Sequence, residues 1–245
     1  MSLIGVVYLS GNINGRMSEY MVPVIDMLER NRKVAGVLIR VNSPGGEATA
    51  SEILYRKIKK LREKKPVYVS VSSMCASGAY WAASVASKIF AMETSLVGSI
   101  GVISISPSFK RLLDKLGIDV TVNKIGKYKD MNNPFVEPSE AGNEKMTQIM
   151  NSVFVSFRDA VARERKLDEK MINELATGEV FSSADALKFG LIDSVGTYED
   201  ALEALKKETG VRKVKVMMPK KPFISRVIGF ALRDTIAEIM DSAQF

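Results

Sequence analysis

Residues 72–83, SSMCASGAYWAA, put Ser77 between two small residues where a β-branched apolar run gives way to a helical pattern. A serine hydroxyl becomes a useful nucleophile only when a base takes its proton. The 245 residues include no histidine, which rules out a Ser-His-Asp arrangement and leaves lysine as a candidate base. A lysine serves when desolvation and nearby positive charge favour the neutral amine. Acyl transfer also needs N–H groups aimed at the developing oxyanion. NSPGGE, residues 42–47, is suited to supply one, because Gly45 and Gly46 let the backbone approach a substrate with no Cβ in the way. Gly78, in the first turn of the helix that Ser77 starts, would supply a second. Taken alone, a Pro-Gly-Gly turn is also what an ordinary strand-to-helix connection uses. The S-x-x-K motif of a different Ser-Lys chemistry occurs nowhere in the chain.

These groups need a scaffold to hold them. Strand-like IGVVYLS (4–10), AGVLIRV (35–41) and VYVSVSS (67–73) alternate with helical patterns over about 19–30 and 47–63. That order predicts an α/β fold with a mostly parallel sheet and helices on both faces. Small residues then make a helix after Ser77, followed by KIFAM, the glycine-punctuated strand-like VGSIGVISIS (97–106), a helix over about 108–116 and a strand DVTVNKI (119–125). Residues 126–138 read as a loop. Helices are expected over 139–166, 168–176, 182–189 and 197–208, with Ser182 or Ser183 capping the third and Gly190 ending it. VRKVKVMM (211–218) reads as an edge strand with lysines on one face. In the tail, Ile224, Ile228, Leu232, Ile236 and Met240 form an apolar stripe at i+4 spacing, suited to docking on its own domain, on a neighbouring subunit or on a membrane surface. We therefore place a catalytic domain at 1–210 and an appended strand and amphipathic helix at 211–245.

Composition narrows the partners. A 46% apolar, 26% charged chain folds as an ordinary globular protein. The net charge of +7 is spread, and RKIKKLREKK (56–65) fits the solvent face of a helix better than a nucleic-acid patch, so no nucleic-acid partner is expected. The lone Cys75 cannot form an internal disulfide and suits packing more than reactivity. Without histidine the usual zinc ligand sets cannot be assembled, so neither a metal nor another cofactor is expected. The uncharged stretch 94–109 is too short and serine-rich to span a bilayer, and GVVYLSG (5–11) reads as a core strand instead of a signal peptide.

Six ordered blocks, LSGNI, RVNSPGGEATASEILYRKI, SMCASGAYWAAS, SLVGSIGVIS, GKYKDMNNPF and GEVFSSADALKFGLIDSVGTYEDAL, resemble the signal peptide peptidase A (SppA) group of Ser-Lys proteases, within the Clp protease/crotonase fold superfamily. The resemblance implies that Ser77 is the nucleophile, Lys129 in GKYKD the general base and Ser99 in VGSIG the hydroxyl that orients the lysine. It also implies that Gly46 and Gly78 donate to the oxyanion. Ser99 and Lys129 follow Ser77 by 22 and 52 residues, which fits the group's spacing. Lys124 and Lys127 would favour a neutral amine at Lys129, and Asp130 would oppose it. Further implications are repeated β-β-α units, signal peptides and other unfolded apolar peptides as substrates, and a homo-oligomer whose sites are completed by adjacent subunits. A membrane-associated full-length protein, on the extracytoplasmic face, is implied as well, although the chain as given reads as soluble. The rival readings are a crotonase-like enzyme acting on acyl-CoA thioesters and a catalytically silent peptide-binding scaffold. The first would not need both Ser77 and Lys129, and the second would be expected to have lost one of them.

Overall fold

A computed structural model describes residues 2–217. Three long strands, β1 (Leu3–Ser10), β2 (Val34–Ser43) and β3 (Val67–Ala76), pair in parallel and alternate with helices α1 (Gly15–Arg30) and α2 (Ala48–Arg62). Their near-continuous apolar sequences follow from burial on both sides. Odd-numbered side chains such as Val7, Leu9, Val37, Ile39, Val67 and Val69 pack into one layer with α1 and α2. The even-numbered Ile4, Val6, Leu38 and Tyr68 pack on the opposite face against Ala201 and Leu205 of a later helix. Expectation and structure agree here: the sheet is mostly parallel and helices cover both faces.

At β3 the sheet forks. Tyr68 to Val71 pair with β4 (Lys88–Ala91), while Met74 to Ala76 pair with β5 (Leu96–Gly98). The short helix α3 (Gly78–Ser84) leaves directly from the end of β3. After α4 (Lys110–Lys115), the long α5 (Glu140–Arg165) packs on α3, followed by α6 (Glu169–Leu175), β6 (Val180–Ser182), α7 (Ser183–Lys188), β7 (Ser194–Val195), α8 (Tyr198–Thr209) and β8 (Val214–Val216). β6 pairs antiparallel with β5, and β8 adds in parallel to β1 at the other edge. The sheet thus takes in residues on both sides of position 210, and the apolar stripe beginning at Ile224 lies outside the described residues. Among those described, no helix is long and apolar enough to cross a membrane.

Side-chain caps fix most helix starts. The side chains of Ser139, Asp168 and Ser182 accept from the third residue onward, and Thr197 forms a reciprocal capping box with Asp200. The same device starts α1 earlier than its apolar pattern predicts, because Asn14 accepts from the Met17 N–H at 3.0 Å. Two expectations fail. Residues 119–125 form no strand, and of the strand-like 97–106 only Val97 and Gly98 join the sheet. Among the described residues these segments have no neighbouring ladder, and Ile103, Ile105 and Ile125 stand 79%, 82% and 97% exposed.

The basic run on α2 is mostly paired. Lys57 meets Asp26 at 2.7 Å, Lys60 and Lys64 share Glu29 at 3.5 and 2.5 Å, and Lys59 and Arg62 clamp Glu164 of α5 at 2.7 and 2.8 Å. The Glu164 side chain is only 4% exposed and also accepts from the Tyr55 hydroxyl at 2.8 Å. Burial alone would raise its carboxyl, but the hydrogen bonds from Lys59 and Tyr55 and the charge of Arg62 outweigh that and hold it at about 2. A buried carboxylate with several partners leaves its cations stranded when neutralised. Glu164→Gln is therefore expected to cost about 3 kcal/mol of stability at neutral pH. The depressed folded value means the contribution is complete above the usual carboxylate value of 4.5 and is lost as pH falls through about 2. Urea unfolding at pH 7 and again near the acid end should show the gap between variant and parent shrinking; a gap independent of pH would overturn this assignment.

Candidate active site

The fork in the sheet builds the site. Parallel pairing carries β3 as far as Ala76, opposite Gly98. The next N–H, that of Ser77, donates to the Gly98 carbonyl at 2.8 Å, while the Ser77 carbonyl already accepts from Trp81 N–H at 3.0 Å inside α3. One residue must therefore finish a strand and begin a helix. It does so at φ 51°, ψ −127°, a conformation that L residues other than glycine rarely adopt. The turn leaves Ser77 at the rim of a cavity of about 190 Å³.

The loop between β2 and α2 lies against this turn. Ile13 N–H donates to Gly45 O at 2.7 Å and Glu47 N–H to Ile13 O at 2.8 Å, so the Gly45–Gly46 backbone is held on the strand-end loop of β1. Gly46 has φ 151°, and a Cβ there would sit 2.0 Å from Ile13 O. A Cβ on Gly78 would sit 2.0 Å from Ser51 Oγ and 3.6 Å from Gly46 N. Only glycine fits at either position. Among the described residues neither Gly46 N–H nor Gly78 N–H has a hydrogen-bond acceptor, and both residues line the cavity beside Ser77. Two unpaired donors next to a strained hydroxyl can stabilise an oxyanion formed by attack of that hydroxyl.

Ser99 follows Gly98 directly, so the bond that holds Ser77 also fixes its neighbour. Its φ is 53° and its N–H donates to Glu179 O at 2.6 Å; Gly178 N–H returns a bond to Ile100 O at 3.0 Å. Ser77, Ser99, Gly46 and Gly78 are thus gathered at one end of the sheet. Lys129 is not gathered with them. It sits exposed on the loop after Gly126, and among the described residues its Nζ makes no hydrogen bond or ion pair. Asp130, its neighbour, is held by Lys124 at 2.6 and 2.7 Å, and the hydrogen bond from Lys124 keeps the Asp130 carboxyl below its usual range.

The apolar walls of the cavity come from Trp81 of α3, Val102 and Ile103 of the exposed segment, and Val153 and Phe157 of α5. Sequence reasoning did not single these out. The available signal is the stripe Met146, Met150, Val153 and Phe157, spaced as one face of a helix.

Comparison with known proteins gives three concordant results. The model of peptidase family S49 matches residues 59–212. A Methanocaldococcus jannaschii protein provisionally described as a protease is 42% identical over 200 residues, 82% of this chain and 64% of the relative. The chloroplastic serine protease SPPA of Arabidopsis thaliana is 32% identical over 216 residues, 85% of this chain and 32% of the relative. The chain therefore spans less than two thirds of these curated relatives. A serine-to-alanine variant of the 1510-N membrane-bound stomatin-specific protease shares the fold with a TM-score of 0.60 at 17% identity, over 89% of this chain and 99% of that one.

The strain at Ser77 is open to measurement. Ser77→Gly is expected to raise Tm by about 2–4 °C, because glycine adopts this turn without a Cβ penalty. Ser77→Ala keeps the Cβ and should show no such gain. Equal Tm values for the two variants in thermal unfolding would mean that the turn stores no strain.

Proposed function

We propose that this chain, which belongs to peptidase family S49, is the catalytic unit of a serine endopeptidase that hydrolyses extended apolar polypeptide, released signal peptides among it. The observation that carries the reading is the strained Ser77 beside the two unpaired N–H groups of Gly46 and Gly78, on an apolar cavity. Ser77 Oγ attacks the peptide carbonyl carbon as a neutral Lys129 takes its proton. The carbonyl oxygen gains negative charge and is held by the two N–H groups. Lys129, oriented by Ser99, gives the proton to the leaving amine. A water activated by the same lysine then cleaves the ester and frees the serine.

Lys129 reaches Ser77 from an adjacent copy in this reading. Its exposed position, and the exposed Ile105 and Ile125 on the same arm, the segment between β5 and α5, support a neighbour covering that arm. The serine-type chemistry is supported by the name of the Arabidopsis relative. Attachment of the full-length protein to the extracytoplasmic face of a membrane, close to the source of signal peptides, belongs to the same proposal.

A serine-directed fluorophosphonate should form an adduct at Ser77 in the assembled protein, read by mass spectrometry. Lys129→Ala is expected to lose the adduct and at least about 10³-fold in turnover of an apolar peptide. Retention of both would refute the dyad. Mixing Ser77→Ala with Lys129→Ala subunits under exchange conditions should restore turnover, since some sites then receive an intact serine and an intact lysine from different copies. A mixture as inactive as its components would place both groups in one chain.

A further inference from the structure

The cavity beside Ser77 has a larger neighbour. Between α2 and α5 lies a basin of about 630 Å³, lined by Tyr55, Lys59, Arg163 and other polar side chains, and Trp81 forms part of the wall of both spaces. The two follow one another along the same helices. Ala48 of α2 and Val153 and Phe157 of α5 line the inner cavity, whereas Glu52, Tyr55, Asp159 and Ala160 line the outer basin. The Trp81 indole stands between them, stacked on Phe157 with ring centroids 5.0 Å apart and tilted on Tyr55 at 6.2 Å.

The hydrogen bonding of this indole is informative. Trp81 is 3% exposed, and its Nε1 is buried with no hydrogen-bond partner among the described residues. A buried indole N–H normally has one. Among the described residues packing alone holds the ring, so replacing it breaks no hydrogen bond there and the cost falls on packing.

Taking Ser77 as the nucleophile, as proposed above, we infer that Trp81 determines specificity by closing the back of the cavity that receives the substrate side chain at the cleaved bond. A cavity of about 150 Å³ holds a benzene. The space of about 190 Å³ beside Ser77 thus accepts an aliphatic or phenyl-sized side chain, and Trp81 bounds it on the side of the outer basin. The substrate class is peptides with small to medium apolar residues on the acyl side of the scissile bond. Removing the ring joins inner cavity and outer basin and lifts that limit. Val153 bears on the same space from the opposite helix, so enlarging it should shorten the cavity.

The test uses the assembled full chain and peptides identical except for Ala, Leu or Trp at the acyl-side position. The parent, Trp81→Ala, Trp81→Phe and Val153→Phe proteins are compared by kcat/KM, with Ser77 labelling confirmed in each. Trp81→Ala is expected to raise the Trp-to-Leu ratio about tenfold or more, with Trp81→Phe between it and the parent, and Val153→Phe to raise the Ala-to-Leu ratio by a similar factor. Ratios are read because a merely structural defect lowers all substrates together. Should Trp81→Ala fail to fold, Trp81→Phe and Val153→Phe decide the matter. Labelled enzymes with unchanged ratios overturn the inference and leave the Ser-Lys reading standing. An unlabelled parent whose turnover survives Ser77→Ala overturns both.

Discussion

The hydrogen bond from Ser77 N–H to Gly98 O is the constraint on which the site depends. It exists because β3 outlasts β4 and takes β5 as its partner for its last residues. A strand that ended with β4 would release Ser77 into an ordinary loop, free to relax to negative φ. Instead the ladder holds the residue's N–H while the helix claims its carbonyl, and the backbone between them has one way to turn. The same bond sets the position of Ser99, the residue after Gly98. One pairing therefore positions two hydroxyls that lie 22 residues apart in sequence.

Support for that turn comes from both sides of α3. The helix is short and starts on Gly78 and Ala79, so α2 and the Gly45–Gly46 loop can approach it closely, while Trp81 stacks on Phe157 of α5. The ion pairs of α2 contribute here. Glu164 ties α5 to Lys59 and Arg62 of α2, and Glu29 ties α1 to Lys60 and Lys64. A sequence of cations that looks like an anion-binding surface is largely consumed in holding three helices in register.

Legibility in the sequence follows how local each signal is. The strands and helices of the core repeat their apolar residues at short periods, and their caps sit within four residues, so nearly all were readable. The turn at Ser77 and the close-packed glycines beside it were readable as local geometry, because a strand-to-helix turn and glycine spacing are local too; the roles of Ser77, Gly46 and Gly78 belong to the proposal. Asn14 shows the limit: its cap adds a first turn to α1 that has no apolar pattern. Residues 119–125 show a different one. Their alternation of Val120 and Val122 with polar residues has the right period for a strand, yet a strand requires a partner ladder, and none is available among the described residues. In the proposed assembly the gap between Lys129 and Ser77 has the same origin, because sequence spacing reports a family pattern and not which copy of the chain supplies the group.

The exposed arm connects these threads. Val102 and Ile103 wall the cavity beside Ser77, while Ile105, Ile125 and Lys129 further along the same arm face outward. The arm is anchored near its start by the bonds among Ser99, Ile100, Gly178 and Glu179 and passes into α5, which forms the opposite wall. A neighbour that covers the outer part of this arm in the proposed assembly would do two things at once. It would bury apolar side chains, a favourable transfer of about 1.5–3 kcal/mol for each large one fully covered, and it would steady the segment that closes the substrate cavity. Assembly and formation of the cavity wall then draw on the same residues. The lysine need not be aligned with the serine until that contact is made, and an unassembled chain would keep a strained serine without its base.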